Sequence, residues 1–443
     1  MPAGAGPAAH PSIPGDSTAL HTDHYELTML ASALQDGTAQ RDCVFEVFCR
    51  SLLGGRRYGV VAGTERVVDA VTRFRFDDAE MEFLERTGVV DARTLAFLTE
   101  YRFRGDVAGY REGELFFPYS PILTVRGSFA EAVVLETVVL SILNHDSAVA
   151  TAASRMVTAA QGRPIIEMGS RRTHEAAAVD AARAAYLAGF ASTSNLEAGR
   201  SYGVPTRGTV AHAFIMLHDR EQDAFRAQVT VLGEGSTLLV DTYDTLMGIR
   251  RAVDVAGPRL GAVRLDSGDL HQLAVEGRAL LDSLGATGTR IVATGDLDEY
   301  KLAALADAPV DAYGVGTSVV TGSGVPAPGF VYKVSQVDGH PVAKRSPGKV
   351  SVGGHKHPVR RHDAGGRARL EIAVPESEYA SEVGDRPLAV PLVEAGARVG
   401  PAPSLAEVRD FHARVRAALP AEALDLQPGE PAIATIRHSE QPE

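Results

Sequence analysis

Residues 262–270 read Ala-Val-Arg-Leu-Asp-Ser-Gly-Asp-Leu. Four residues of strand character are followed by an acid, a hydroxyl, a glycine and a second acid, and the leucine opens a helical pattern that runs to residue 284. The same order recurs through the middle of the chain. Short apolar runs at 164–168, 189–193, 237–240, 290–293 and 312–315 alternate with helical stretches at 174–188, after Asn195, at 245–255 and at 297–305. Short strands alternating with helices of about ten to fifteen residues build a parallel sheet. Each run also ends in a polar or glycine-bearing cluster: Gly169-Ser170-Arg171-Arg172, Ser192-Thr193-Ser194-Asn195, Asp241-Thr242-Tyr243-Asp244, Asp266-Ser267-Gly268-Asp269, Gly295-Asp296 and Gly314-Val315-Gly316-Thr317. In a closed (β/α) barrel such positions converge on one mouth, whereas in an open sheet they spread along an edge. The expectation is therefore an irregular (β/α) barrel over 127–325.

Outward from this core the texture changes. Residues 1–16, rich in Ala, Pro and Gly, read as a flexible tail without the basic start or apolar centre of a signal peptide. Residues 17–126 read as an N-terminal α/β domain, with a helix entered at 21–30, a strand at 43–50, a helix at 58–74 and strands at 103–111 and 115–125. Long helical patterns at 129–143 and 148–160 begin the barrel. After it, residues 326–443 form a C-terminal segment expected to pack back on the N-terminal domain. It holds a strand at 330–337, a hairpin turn at Asp338-Gly339, a basic loop (Lys344, Arg345, Lys349, Lys356, Arg360, Arg361) and a capping box at Ser404–Glu407 that opens a helix to 419. The final residues, rich in Pro and Glu, are expected to be loose.

The 443 residues are 45% hydrophobic and 23% charged, an ordinary globular balance with material for a large core. The net charge of −12 argues against a nucleic-acid partner. No apolar run reads as reaching membrane-spanning length. Cys43 and Cys49 lie in one strand-like run, roughly 20 Å apart along it, too far for a disulfide. These features suggest a reduced, cytoplasmic protein.

Lysine first appears at position 301, so arginine supplies nearly all the positive charge before it. Arginine forks and glycine turns on several strand ends suit a substrate with more than one phosphate. The carboxylates at 241, 244, 266, 269 and 296 would repel bare phosphate, and make sense if some hold Mg²⁺ and others sugar hydroxyls. Asp244 and Asp269 fit plain helix caps. His212 lies in Arg207-Gly-Thr-Val-Ala-His-Ala-Phe214. Alone it reads as a histidine that packs or caps. Gly208 and Thr209 fit a tight turn with a helix cap, which would set the imidazole at a helix N-terminus, where anions are favoured. Familiar nucleotide signatures are absent. Gly348-Lys349 lacks the earlier glycine of a P-loop, Pro326 and Pro328 forbid the helix that a dinucleotide fingerprint at 322–327 would need, and there is no hydrolase elbow. The run 238–244 lacks the adjacent acidic pair of the common phosphoribosyltransferases, and His355 with His357 lacks further ligands for zinc.

Taken in order, Thr22-Asp23-His24-Tyr25, Glu167-Met168-Gly169-Ser170-Arg171-Arg172, Ser192-Thr193-Ser194-Asn195, Gly208-Thr209-Val210-Ala211-His212, Val240-Asp241-Thr242-Tyr243-Asp244, Arg264-Leu265-Asp266-Ser267-Gly268 and Gly314-Val315-Gly316-Thr317 resemble the nicotinate phosphoribosyltransferase family, across about residues 20–349. The resemblance implies an irregular α/β barrel with an N-terminal α/β domain, assembled as a homodimer with shared active sites. It implies the reaction of nicotinate with phosphoribosyl pyrophosphate to give nicotinate mononucleotide and pyrophosphate in NAD salvage, coupled to ATP hydrolysis, with Mg²⁺ as cofactor. His212 would be transiently phosphorylated by ATP. Tyr25 would stack on the pyridine ring from the neighbouring subunit. Arg171 and Arg264 would hold phosphates, Asp266 the ribose hydroxyls, and Gly295, Gly316 and Thr317 the ribose 5-phosphate, while Asp241 would lie near pyrophosphate and magnesium.

Two positions depart from related nicotinamide enzymes. Met168 stands where they stack a phenylalanine on the ring, and methionine fills that space less rigidly. Ser194 stands where they carry an aspartate, whose charge would repel a carboxylate substrate; serine favours nicotinate. Two other readings stay open at this stage. A quinolinate phosphoribosyltransferase shares the barrel logic but would need further basic residues for a second carboxylate. A non-catalytic phosphosugar-binding protein would not need the acids and arginines around His212.

Overall fold

The computed structural model describes residues 17–344, 346 and 351–437. The expected tail at 1–16, Arg345 and Lys349 of the basic loop, and residues 438–443 lie outside them. The chain divides into two compact units, Met1–Thr151 with Val325–Glu443, and Ala152–Gly324. The division falls inside the helix Glu136–Ala159. The change of texture at residue 127 marks instead a capping box, Ser128 with Glu131, that opens the helix Phe129–Val133.

In the first unit the strand Asp42–Phe48 is buried along almost its whole length, because it lies between two antiparallel neighbours, Val331–Val337 and Leu123–Ser128. The sheet continues through Asp106–Tyr110, Ala389–Glu394 and Ala397–Arg398, and on its other side through His340–Pro341. Asp338 and Gly339, at φ 48° and 79°, make the tight hairpin that joins the strands around them. Apolar faces of the helices His24–Asp36, Thr64–Arg73 and Ala92–Thr99 enter the same core through Leu27, Leu30, Val67, Val71 and Leu98. Cys43 and Cys49 are free and buried.

Residues 58–74 do not form one helix. Gly59–Val60 is a strand paired with Leu115–Phe116, and a Cβ at Gly59 would lie 2.1 Å from the Phe116 ring. The valines at 60 and 61 belong to that buried strand and its continuation, and the helix starts only at Thr64. The expectation about the length of apolar runs also needs correction. The run Phe129–Ala159 is long and apolar enough, by length and composition, to cross a bilayer, yet 61% of its apolar window is buried inside the protein. It is a core helix whose alanines and valines face protein on most sides.

A four-stranded sheet, Asp385–Pro387, Lys356–His362, Ala368–Pro375 and Ala434–Arg437, completes this unit. It buries a charge network in which the Arg360 guanidinium donates to Glu114, to Glu371 and to the Leu115 carbonyl, with Tyr110 on Glu371. Nearby, the helix Leu405–Ala417 opens with the expected capping box. It buries His412, whose Nδ1 hydrogen donates to the Gly113 carbonyl at 2.9 Å.

The second unit carries six parallel strands in the order Ser192–Thr193, Ile165–Glu167, Ala312–Val315, Arg290–Ala293, Ala262–Leu265, Thr237–Leu239. Their residues are mostly buried, as parallel strands covered by helices must be. The sheet is a half-barrel: its edge strands do not pair with each other, so the closure expected over 127–325 is not made by backbone hydrogen bonds. One isolated parallel bridge, Thr193 to Thr206, extends the first edge. Closure at the mouth comes from side chains.

Burial pushes the His412 imidazole down to about 4 from the usual 6.5, against the pull of its bond to Gly113. The unfolded chain takes up a proton near pH 6.5 and the folded chain only near pH 4, so stability is fully present above pH 6.5 and is lost as pH falls through that window. The loss amounts to about 3 kcal/mol. Urea unfolding followed across this range is expected to show a shallower pH dependence for His412→Gln than for the wild type; parallel profiles would refute the assignment.

Candidate active site

Except for Tyr25, the site residues singled out in the sequence belong to the second unit; most follow the carboxyl ends of its strands, while Arg264 lies within one and His212 opens a short helix. The strand Ala262–Leu265 contributes Arg264 and leads into Asp266. The guanidinium of Arg264 donates through Nη1 to Thr209 Oγ1 and, at 3.2 Å, to the Val210 carbonyl. Its Nη2 lies 3.4 Å from Asp266 Oδ1. One side chain thus joins the segment at 209–210 to the second strand from the far edge of the sheet. Its side chain is only 11% exposed, and its Nε is buried without a partner among the described residues.

His212 follows on the same segment. It is the first residue of the short helix His212–Met216; the residue before it, Ala211, caps the helix without a side-chain bond. The cap expected from Thr209 is therefore not made, because its hydroxyl accepts from Arg264 instead. One nitrogen of the imidazole meets a hydroxyl and the other faces a carboxylate. Nδ1 is 3.1 Å from Thr242 Oγ1, and Nε2 is 3.5 Å from Asp266 Oδ2. At 36% side-chain exposure it is anchored yet open to solvent.

Asp266 is a junction of charges and hydroxyls. Its Oδ1 accepts from Thr294 Oγ1 and faces Arg264, while Oδ2 faces His212. Gly295, directly after Thr294, has φ 108°, and a Cβ there would sit 2.3 Å from the Asp266 carbonyl oxygen. Only glycine permits the two turns to approach so closely. Asp241 is nearly buried, and its Oδ2 accepts from the Asp266 N–H at 2.9 Å and the Ser267 hydroxyl at 2.7 Å. One oxygen therefore straps the neighbouring turn in place. The other, Oδ1, is buried with no hydrogen-bond partner among the described residues.

On the other side of the sheet, Met168 donates its N–H to the Val315 carbonyl at 2.7 Å and packs its sulfur over Gly314, where a Cβ would come within 2.8 Å. The turn Gly169–Arg172 closes with a 2.8 Å bond from Arg172 N–H to Gly169 carbonyl, and Arg171 projects from it exposed. Ser194 is exposed, with its N–H on the Glu167 carbonyl at 2.8 Å. Gly316 precedes the short helix Thr317–Val320, and Thr317 is exposed. Asp244 and Asp269 are helix caps as expected, accepting from Met247 and Gln272. Tyr25 lies in the first unit, second in the helix His24–Asp36 and 44% exposed. Burial, then the carboxylate of Glu136, raises its phenol above the ordinary value.

Sequence reasoning missed the hydroxyls that orient these groups. Thr242, Thr294 and Thr209 each bond a charged or titratable side chain, yet as isolated threonines near strand ends they look like any strand residue. The signal available was their recurrence beside an acid or a histidine. A bare metal cage is not formed: among the described residues no group of three or more His, Cys, Asp or Glu could hold an ion. Magnesium does not need one, since it binds through one or two carboxylates together with substrate phosphates and water. The leftover Asp241 Oδ1 fits that mode.

Residues 20–144 match the family described as nicotinate phosphoribosyltransferase (NAPRTase) N-terminal domain. Over 429 residues the chain is 58% identical to nicotinate phosphoribosyltransferase pncB1 of Mycobacterium tuberculosis, with 95% of each chain covered. It is 36% identical over 360 residues to the nicotinate phosphoribosyltransferase of Bacillus subtilis, covering 78% of this chain and 73% of that one. Among solved structures, human nicotinic acid phosphoribosyltransferase superposes with a TM-score of 0.82 at 26% identity, covering 94% of this chain and 97% of the other.

Proposed function

The chain belongs to the nicotinate phosphoribosyltransferase family, and from that premise we propose that it joins nicotinate to phosphoribosyl pyrophosphate, giving nicotinate mononucleotide and pyrophosphate in NAD salvage. The pyridine nitrogen attacks the ribose C1 carbon as the bond from that carbon to the pyrophosphate oxygen breaks. Charge develops on the sugar as a cation and on the leaving group as an anion, so the site works by positioning and electrostatics and not through a strong nucleophile. Asp266 engages the ribose hydroxyls. Arg171 grips phosphate oxygens from its exposed turn, and Gly295, Gly316 and Thr317 receive the 5-phosphate. Arg264 holds phosphate oxygens alongside the segment that it clasps. Magnesium, when bound, neutralises pyrophosphate charge, and Asp241 Oδ1 would hold it.

The observation that carries the ATP-coupled reading is the imidazole of His212, held between Thr242 and Asp266 and still open to solvent. A nitrogen of this ring attacks the γ-phosphorus of ATP, a nitrogen–phosphorus bond forms, and ADP leaves. Water later takes the phosphoryl group, releasing phosphate and restoring the histidine. Incubation with γ-labelled ATP is expected to leave acid-labile, base-stable label on His212. His212→Ala should abolish both the label and the stimulation by ATP while slow ATP-independent transfer persists; equal ATP dependence in variant and wild type would refute the role.

Selection of nicotinate over nicotinamide rests on Ser194, exposed and uncharged in its turn. Ser194→Asp places a carboxylate there, which repels the nicotinate carboxylate and accepts from an amide. The ratio of kcat/KM for nicotinate to that for nicotinamide should fall by about tenfold or more, the scale of one charged contact. An unchanged ratio would put selectivity elsewhere.

The active unit is a homodimer in the cytoplasm, where the free buried cysteines would stay reduced. Tyr25 completes the pyridine site of the neighbouring subunit, a role that suits its exposed ring at a helix start. Tyr25→Ala and His212→Ala subunits, each deficient alone, should recover ATP-coupled activity when mixed and allowed to exchange. No recovery in verified heterodimers would place Tyr25 outside the shared site.

A further inference from the structure

Glu167 is the last residue of the strand Ile165–Glu167, nearly buried, and has no part in the chemistry above. Its two carboxylate oxygens serve two different turns. Oε1 accepts from the Gly169 N–H, the first residue of the turn that carries Arg171. Oε2 accepts from the Thr193 hydroxyl, at the end of the neighbouring strand and directly before Ser194. The Thr193 oxygen in turn accepts from the Asn195 N–H at 2.9 Å. A second bond runs parallel to this one: Asn195 Nδ2 donates to Ser170 Oγ at 3.0 Å, while Asn195 Oδ1 caps the next helix through Ala198. The two turns are therefore tied twice, once by Glu167 from below and once by Ser170 with Asn195 above. Gly169 has no room for a side chain, since a Cβ there would meet Val320 at 2.2 Å and the Gly316 carbonyl at 2.9 Å.

We propose that Glu167 is a positioning residue that fixes the spacing between the phosphate-gripping turn at Arg171 and the pyridine-selecting turn at Ser194. The proposal rests on the substrate reading above. A carboxylate suits the task because it accepts at both oxygens, one from an N–H and one from a hydroxyl. Glutamine offers one acceptor oxygen, which can serve Gly169, and one amide donor, so the charge-assisted bond from Thr193 is replaced by a neutral one in which the hydroxyl must accept and turn its hydrogen elsewhere. A buried ion is an expensive way to join two loops unless both of its oxygens are satisfied, as they are here. Burial raises the Glu167 carboxyl above the ordinary range, and the two hydrogen bonds oppose that shift.

The test uses purified full-length enzyme with nicotinate and phosphoribosyl pyrophosphate, measuring KM and kcat separately alongside the melting temperature. Glu167→Gln is expected to raise KM for both substrates together, lowering kcat/KM by about tenfold, the loss of one charge-assisted hydrogen bond. Thr193→Val, which keeps the residue's volume and removes the same bond from the other side together with the acceptor for the Asn195 N–H, should reproduce that pattern at least as strongly, and Thr193→Ser should recover most of the loss. The double variant Glu167→Gln/Thr193→Val should be no worse than the poorer single one. A purely structural role predicts instead a lower melting temperature with both KM values unchanged, and that result overturns the proposal. So do effects of the two substitutions that simply add. Should Glu167→Gln fail to fold, the Thr193 pair carries the same decision. Absence of transfer by the wild-type enzyme would refute the substrate reading itself, a failure separable from an active wild type whose variants keep normal KM.

Discussion

The clasp made by Arg264 is what turns an open sheet into a working mouth. A half-barrel leaves two raw edges, here Ser192–Thr193 and Thr237–Leu239, and nothing in the backbone ladder brings them together. The segment that leaves the first edge bridges at Thr206 and then runs on toward His212. Arg264 takes hold of it at Thr209 and Val210 while also facing Asp266. Its planar fork allows several donors to be used at once in one geometry, which a lysine could not reproduce. The arrangement leaves Nε buried and without a partner among the described residues.

His212 depends on the clasp without touching it. Its ring is set by Thr242, after the edge strand Thr237–Leu239, and by Asp266, beyond Ala262–Leu265, but its backbone comes from the other side of the sheet. Three separate stretches therefore have to arrive together. Asp241 secures the arrival of one of them by bonding the Asp266 N–H and the Ser267 hydroxyl, and Gly295 secures another by letting its turn come against the Asp266 carbonyl. The acid nearest the imidazole is thus fixed through backbone, hydroxyl and guanidinium before any substrate enters, which is the preorganisation that electrostatic catalysis requires.

How much of this could be read from the sequence follows from the range of the forces involved. The alternation of strand, polar turn and helix was legible because burial of a parallel sheet writes itself locally, as 262–270 does. The caps at Asp244 and Asp269 were legible for the same reason, since an acid bonds an N–H three residues on. Thr209 as a cap was a local reading overruled by a partner 55 residues away. The helix expected at 58–74 failed similarly, because valines at 60 and 61 fit a helical period but their burial comes from a strand pairing with Leu115–Phe116. Closure by a half-barrel plus side-chain clasps left no periodic trace. Neither did the tie at Glu167, which appeared in the sequence only as an acid at a strand end.

The abundance of acids around an anion site ceases to be a paradox once their partners are counted. Asp244 and Asp269 spend their charge on helix N-termini, where the macrodipole favours it. Asp241 turns one oxygen inward to a strap, and Asp266 faces Arg264, Thr294 and His212. Glu167 is consumed by Gly169 and Thr193 beneath the sheet ends. Most of these carboxylates are thus bonded within the site, although Asp244, Asp269 and Asp296 stay exposed. Exposed on the same turns are Arg171, Arg172 and Arg207. Arginine forks therefore stand among the acids as bidentate donors suited to oxyanions, in a protein whose net charge is −12.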